Sequence, residues 1–122
     1  MRPFLDSIER LTERNSAFRR VLYTAGRQQL VAMSLEPGES IPSEVHDGDQ
    51  FFRIESGTAT FIFGRRSHCA RAGDAIVIPA GTSHEVRNPS RTQPLKLYTI
   101  YSPPRHRSGL VQKKPPTTRD RR

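Results

Sequence analysis

The sequence contains a single cysteine, Cys69, among its 122 residues. One cysteine cannot form an internal disulfide, and it leaves no second thiol for a zinc ribbon or a redox pair. Free cysteines usually behave as small hydrophobic residues. We therefore expect Cys69 to be a buried or half-buried strand residue without a chemical role.

Long apolar runs are also absent. No stretch approaches the roughly eighteen apolar residues that a membrane-spanning helix needs. The first ten residues, MRPFLDSIER, carry charges where a secretory signal peptide would have its apolar core. We therefore expect no membrane partner and a cytoplasmic location, and the length of the chain predicts one domain with one core.

Positive charge is concentrated near the C-terminus. The net charge is +8, and residues 103–122 contain 7 basic residues and 1 acidic residue, against 13 and 11 in residues 1–102. The same segment is rich in proline and poor in core-forming residues, so we expect a largely disordered tail, in which the last dozen residues are disordered and SPPRHRSG can still lie along the barrel. Such a segment is usually only solvated, so we do not expect nucleic acid as a partner.

Short segments with a period of two dominate the chain after a single helix. Residues 4–15 place Leu5, Ile8 and Leu11 at helical spacing, and Asp6 followed by Glu9 is typical of a capping box. Strands are predicted at residues 18–24, 28–35, 50–56, 58–63, 75–79, 84–88 and 95–101, separated by Gly, Pro and Asn turns. The sequence predicts an all-β sandwich or barrel with residues 1–17 as helix and lead-in, residues 18–102 as barrel and residues 103–122 as tail.

The alternation of side chains along each strand predicts which residues face the interior of this barrel. Phe52 and Ile54 share a face with Gln50. In the last predicted strand one face is expected to point inward, and it consists of Leu95, Leu97, Thr99 and Tyr101.

Four possible metal ligands lie in two separate β-segments. Glu44 and His46 are two residues apart and share a face of an extended strand, Gln50 follows across a turn, and His84 lies in the second segment. Imidazole suits Zn, Cu, Fe and Ni, and a carboxylate extends the choice to Mn. The alternative to metal binding is that His84 is an ordinary strand histidine and that Glu44 is an exposed carboxylate. His68 and His106 have no partner at ligand spacing and are expected to be structural or solvent-facing.

The two segments resemble the two conserved motifs of the cupin superfamily. The first motif, G-x5-H-x-H-x3-E-x6-G, aligns without a gap with Gly38, Glu44, His46, Gln50 and Gly57. The second motif, G-x5-P-x-G-x2-H-x3-N, is matched throughout, at Gly73, Pro79, Gly81, His84 and Asn88. The resemblance extends over roughly residues 10–112 and is greatest to a group of small single-domain cupins often labelled mannose-6-phosphate isomerase-like.

The resemblance implies a double-stranded β-helix, or jelly-roll, barrel and one divalent transition metal (Zn, Fe, Mn or Ni) held by Glu44, His46, Gln50 and His84. It also implies a homodimer. Glu44 replaces a His of the broader family pattern and Gln50 replaces a Glu, so oxalate oxidase or decarboxylase chemistry is not carried over.

Two kinds of function fit these expectations. The first is a metal-dependent enzyme acting on a small polar or sugar-like substrate, as an isomerase or epimerase, a lyase or cyclase, or a dioxygenase. The second is a non-catalytic module that binds or senses a metal or a small ligand. The residues alone favour no particular reaction.

Overall fold

The computed structural model describes residues 1–116, which form one short helix and ten strands. The elements in chain order are α1 (Ile8–Arg14), β1 (Arg19–Thr24), β2 (Gln29–Leu35), β3 (Ser40–Glu44), β4 (Asp49–Ser56), β5 (Thr58–Phe63), β6 (Arg66–Arg71), β7 (Ala75–Ile78), β8 (His84–Arg87), β9 (Leu95–Ser102) and β10 (Val111–Gln112). Each of the seven predicted strands is present, with ends within one residue of those expected. The structure adds β3, β6 and β10.

The strands form two antiparallel sheets. The larger sheet has the order β10-β1-β2-β9-β4-β7, and the smaller one has the order β3-β8-β5-β6. Because strands adjacent along the chain often lie in different sheets, the two layers form the jelly-roll barrel of the double-stranded β-helix fold. The expected all-β fold with a short N-terminal helix is confirmed.

The core fills the space between the sheets. Strand β9 alternates buried and half-buried residues along its whole length, with Leu95, Leu97, Thr99 and Tyr101 pointing inward as predicted. The buried apolar cluster takes side chains from both layers and includes Phe18, Val31, Met33, Leu35, Phe52, Ile54, Phe61 and Val86. Burial of such side chains is the main favourable contribution to folding.

The helix begins later than the sequence suggested. Ser7 is the N-cap, since its side chain accepts a hydrogen bond from the Arg10 backbone N–H at 3.4 Å, whereas Asp6 accepts from the Ser7 N–H. Leu5 therefore precedes the helix and is 94% exposed. The predicted cap at Asp6 was wrong because serine, one residue further on, satisfies the free N–H groups of the first turn.

Part of the expected tail belongs to the larger sheet. Strand β10 pairs with β1 through Arg19 and Gln112, and the Val21 N–H donates to the Leu110 carbonyl at 2.9 Å. The expectation of disorder was wrong for this part because the open edge of β1 supplies backbone partners and Leu110 packs against the core. The remaining expectation, for residues 117–122, lies outside the described residues.

The prediction of a buried or half-buried Cys69 was also wrong, since this residue is exposed. Strand β6 is the edge of the smaller sheet, and Cys69 lies on the face opposite to that of Ala70, the one buried residue of this strand. Among residues 1–116, no helix is long and apolar enough to cross a membrane.

One motif glycine is explained by a turn of the backbone. Gly57 connects β4 to β5 with φ of +83°, a conformation that side chains other than glycine rarely adopt. A Cβ atom built there would lie 2.5 Å from the Pro94 carbonyl oxygen. Glycine therefore allows the two sheets to be joined by a very short connection.

Candidate metal centre

The four candidate ligands come from both sheets. Glu44 ends β3 and His84 begins β8, and these two residues are direct partners in the antiparallel register of the smaller sheet. Gln50 lies on β4 in the larger sheet, and His46 lies in the connection between β3 and β4. Residues far apart in the sequence are thus carried to one end of the barrel by strand pairing.

Three of these side chains are buried. His46, Gln50 and His84 are 6%, 4% and 2% exposed, whereas the Glu44 side chain is 23% exposed. The His46 loop is held by Gly81, whose N–H donates to the His46 carbonyl at 2.8 Å. Gly81 has φ of +81°, so a motif glycine from the second segment fixes a candidate ligand of the first.

The two imidazole rings have different surroundings, and their centroids are 5.5 Å apart. His84 Nδ1 lies 3.0 Å from the Thr82 carbonyl oxygen, which assigns the proton to Nδ1 and leaves the Nε2 lone pair free. His46 Nε2 lies 2.7 Å from Glu44 Oε2, yet neither nitrogen of His46 makes a well-aligned hydrogen bond with any residue that the structure describes. Burial lowers the pKa of His46 despite the opposing effect of Glu44, which favours the neutral form that can bind a metal.

The amide of Gln50 is oriented by Thr99. The Thr99 hydroxyl donates to the Phe51 carbonyl at 2.8 Å, so it can only accept from Gln50 Nε2, which lies 2.9 Å away. The Gln50 Oε1 atom is left buried, and no hydrogen-bond partner for it lies in the described part of the chain. A buried, unpaired amide oxygen is uncommon and is available as a ligand.

The donor atoms therefore suit a divalent transition metal, but they are not arranged as a ready cluster. Within residues 1–116, no three His, Cys, Asp or Glu side chains converge on one point as ligands. The structure brings Glu44 to His46 and places His46 beside His84, while Gln50 bonds to Thr99. A metal bound by both Glu44 and His46 would replace their direct contact.

Sequence reasoning missed a buried arginine beside these residues. Arg19 is 6% exposed, and its NH1 group donates to Gln112 Oε1 at 2.5 Å while NH2 lies 4.0 Å from Glu44 Oε1. A signal was present, because Arg19 shares the inward face of β1 with Val21. A charged residue on an apolar face points to a specific local partner or ligand.

A small cavity of about 150 Å³ opens beside His46. Its walls are formed by His46, Asp47, Gly48, Asp49, Tyr101, Pro103, Pro104 and Arg105. A larger groove of about 300 Å³, with Phe4 and Tyr23 in its wall, lies on the outer face of the larger sheet, away from the candidate ligands. Of these two, the small cavity is the one that a candidate ligand lines.

Two ionisable side chains at this end of the barrel are held uncharged. Burial raises the pKa of Tyr101 to about 12, so its hydroxyl keeps its proton. Burial, with help from Arg19 and Arg105, lowers the pKa of His106 to about 4. His106 packs edge-on against Tyr101, with ring centroids 5.2 Å apart, which agrees with the structural role expected for it.

The low pKa of His106 predicts a loss of stability in acid. The native state resists protonation down to about pH 4, whereas the unfolded state takes up the proton near pH 6.5, so stability falls as pH decreases between these values. The wild-type protein should be less stable at pH 5 than at pH 7. We expect this loss of unfolding free energy to be about 1 kcal/mol smaller in His106→Gln, allowing for solvent screening. Urea denaturation at both pH values measures this, with His68→Gln on exposed β6 as the control. An unchanged pH dependence in His106→Gln would contradict the prediction.

Comparison with known proteins identifies the family. The cupin domain profile matches residues 31–101, which contain both motifs and all four candidate ligands. The chain therefore belongs to the cupin superfamily, and it is a small cupin whose fold and motifs agree with that assignment. Cupins commonly bind a metal.

Three relatives show how far the similarity extends. The chain is 45% identical over 117 residues to protein L612 of Acanthamoeba polyphaga mimivirus, covering 93% of this chain and 73% of the relative. It is 44% identical over 117 residues to YrkC of Bacillus subtilis, covering 90% of this chain but only 62% of the relative. The crystal structure of BH2720 from Bacillus halodurans superimposes with a TM-score of 0.88 at 44% identity, covering 92% of this chain and 89% of the other.

Proposed function

We propose that this cupin holds one divalent transition metal, Zn, Fe, Mn or Ni, through Glu44, His46, Gln50 and His84, and that the centre acts on a small polar molecule. The observation that carries the proposal is the buried Gln50 Oε1 atom, which has no hydrogen-bond partner among residues 1–116. Leaving such an atom unpaired costs about 1–3 kcal/mol. Coordination to a metal would recover this cost.

The protonation and charge of the proposed ligands suit metal binding. His84 presents a free Nε2 lone pair, and His46 is favoured in its neutral form. Glu44 supplies the negative charge, and its contact with His46 is poorly aligned and thus easily exchanged for a bond to a cation. Bound there, the metal would supply a Lewis acid that polarises an oxygen of the substrate or of water.

The surrounding residues would orient a substrate and exclude water. Phe52 and Phe61 are 1% exposed and pack edge-to-face behind His84. Tyr101 lines the cavity and keeps its proton, and its hydroxyl lies 3.4 Å from His106 Nε2. An apolar wall with a few oriented polar groups is typical of small-molecule sites.

A non-catalytic binding or sensing module is the second candidate function. It is favoured by the position of Glu44, the carboxylate 2.7 Å from His46, because as a metal ligand it would not also be free to move protons. A panel of sugar phosphates, keto acids and catechols incubated with metal-loaded protein distinguishes the two. Turnover that disappears in His84→Ala supports the enzyme, whereas inactivity with every metal supports the module.

Metal binding itself is tested by titration. We expect metal-free protein to bind one equivalent of Zn²⁺ or Mn²⁺ by calorimetry. His84→Ala should weaken binding by at least about a hundredfold, because losing a direct ligand should exceed the 10–100-fold cost of outer-shell changes. His68→Ala, on exposed β6, is the matched control. Retention of full affinity in His84→Ala would refute the proposed ligand set.

The expectations about partners and location stay predictions. The chain is proposed to act as a homodimer in the cytoplasm on a small-molecule ligand, without membrane or nucleic-acid partners. Light scattering during size-exclusion chromatography tests the dimer, and a single species of 13.8 kDa would contradict it.

A further inference from the structure

The outer face of the larger sheet carries a row of large apolar side chains. The register pairs Tyr23 with Leu30 and Leu30 with Ile100, and it pairs Ile100 with Phe51 and Phe51 with Val77. These five residues therefore cross five neighbouring strands on one line, which we call the outer row. At the usual spacing of roughly 4.8 Å between strands, the outer row is about 19 Å long. It contains no charged residue.

Helix α1 lies to one side of the outer row. The helix contacts β2, β4 and β9, and the carbonyl of its C-cap, Asn15, accepts a hydrogen bond from Lys96 Nζ at 2.6 Å. Lys96 precedes Ile100 by four residues on β9, so this contact is displaced along the strand from the row. Val77 is 66% exposed, and grooves of about 300 and 240 Å³ follow the row. A contiguous apolar surface of this kind marks an interaction site.

The charges beside the outer row indicate what would cover it. On β4, Arg53 and Asp49 lie two residues to either side of Phe51 and share its outward face. Arg53 Nε is 3.8 Å from Glu55 Oε1, and it has no hydrogen-bond partner in the portion of the chain that the structure describes. Asp49 is exposed. A second β4 running antiparallel over the first would therefore bring each arginine opposite an aspartate.

We propose that the outer row is the contact surface between two copies of this chain, which stack face to face about a two-fold axis running along the row. Each residue of the row then meets the same residue of the other copy, and Arg53 of one copy faces Asp49 of the other. The two larger sheets are about 10 Å apart, as is usual for stacked sheets. This inference rests on the proposed function only in the expectation of a homodimer, and the contact needs no metal.

A two-fold axis parallel to the strands is the alternative, and two observations disfavour it. It would bring both α1 helices to the same side of the interface, where helices about 10 Å thick would collide between sheets about 10 Å apart. It would also place Arg53 opposite residues at its own level of the sheet, which are Arg20, Ala32, Tyr98, Arg53 and Ala75 and include no carboxylate. With the axis along the row, the two helices lie on opposite sides.

Light scattering during size-exclusion chromatography tests the surface, with EDTA present so that metal binding plays no part. We expect wild-type protein to have twice the mass of the 13.8 kDa chain. Val77→Lys should weaken dimerisation by at least about a hundredfold, because the two introduced lysines would meet across the axis. Val45→Lys is the matched control and should remain dimeric, since Val45 is 57% exposed and lies in the connection between β3 and β4.

A double-mutant cycle tests the orientation of the two copies. Asp49 and Arg53 are four residues apart on β4, roughly 13 Å, so they cannot contact each other within one chain. Asp49→Asn keeps an oxygen for the Ala80 N–H, which Asp49 accepts at 2.9 Å. Asp49→Asn and Arg53→Gln should each raise the dissociation constant of the dimer by about fivefold, and the double variant should raise it no further.

The outcomes separate this inference from the proposed metal centre. Monomeric wild-type protein, a dimer that Val77→Lys leaves intact, or additive effects at positions 49 and 53 would overturn the inference. Urea denaturation checks that both lysine variants are folded, and Arg53→Gln still tests the surface if Val77→Lys is not. Protein that binds Zn²⁺ as a monomer refutes the dimer alone, whereas a dimer that binds no Zn²⁺ refutes the metal centre alone.

Discussion

Replacing Gln29 by alanine is expected to lower the free energy of unfolding by about 3 kcal/mol. The Gln29 side chain is fully buried, and its Oε1 atom accepts from the backbone N–H groups of Arg105 and His106 at 3.1 and 2.9 Å. Its Nε2 atom donates to the His106 carbonyl at 2.7 Å and to Thr24 Oγ1 at 3.0 Å. Alanine would leave these groups unpaired and create a small void.

The same substitution should loosen one wall of the small cavity. Gln29 holds the backbone of Arg105, which lines that cavity, and of His106, which packs on Tyr101. Urea denaturation measures the stability, and amide hydrogen exchange at residues 105 and 106 measures the loosening. Gln28→Ala is the matched control, because Gln28 is the exposed neighbour and should change stability by less than about 0.5 kcal/mol. Equal effects of the two substitutions would show that Gln29 does not hold this segment.

Phe52→Ala is expected to cost about 4 kcal/mol of stability, within the range found for buried aromatic residues. Phe52 is 1% exposed and packs edge-on against Phe61, with ring centroids 5.2 Å apart. It also meets the His84 ring at 6.1 Å in the same T-shaped manner. The substitution therefore removes core volume and the support behind a candidate ligand at the same time.

The neighbouring phenylalanine provides the control for this prediction. Phe51 precedes Phe52 on β4, points to the opposite face and is half-buried. Phe51→Ala should cost about 1 kcal/mol, because less apolar surface is lost and no closed cavity forms. Chemical denaturation of both variants gives the comparison. A loss below about 2 kcal/mol in Phe52→Ala would mean that the core collapses around the missing ring.

Alternation and turn residues carried most of the information about the fold. The inward faces of β4 and β9 followed from their period of two, and Gly57 marked the turn between β4 and β5. Strand β10 could not be predicted, because Gln112 pairs with Arg19 across 93 residues and this pairing leaves no local signal. The exposure of Cys69 depends on which face of β6 points outward and on β6 forming the edge of the smaller sheet, and the sequence of its own segment determines neither.

The sequence predicted which residues of the candidate site lie near one another, but not how their side chains contact each other. Two motifs indicated that Glu44 and His84 lie near each other, and the structure pairs them in register. The contact between Glu44 and His46 is a matter of side-chain rotamers, which spacing cannot reveal. Arg19 and Gln29 were missed because an inward polar residue becomes conspicuous only once the barrel interior is known.

The pairing of β10 with β1 also has a consequence for synthesis on the ribosome. Translation adds about 5–20 residues per second, so roughly 5 to 20 seconds pass between the appearance of Arg19 and that of Gln112, 93 residues later. During this interval β1 presents an unpaired edge, which another nascent chain can join. Strand β10 thus covers the open edge of β1 and prevents its pairing with another chain. Protein lacking residues 110–113 should be more prone to aggregate while it is being made.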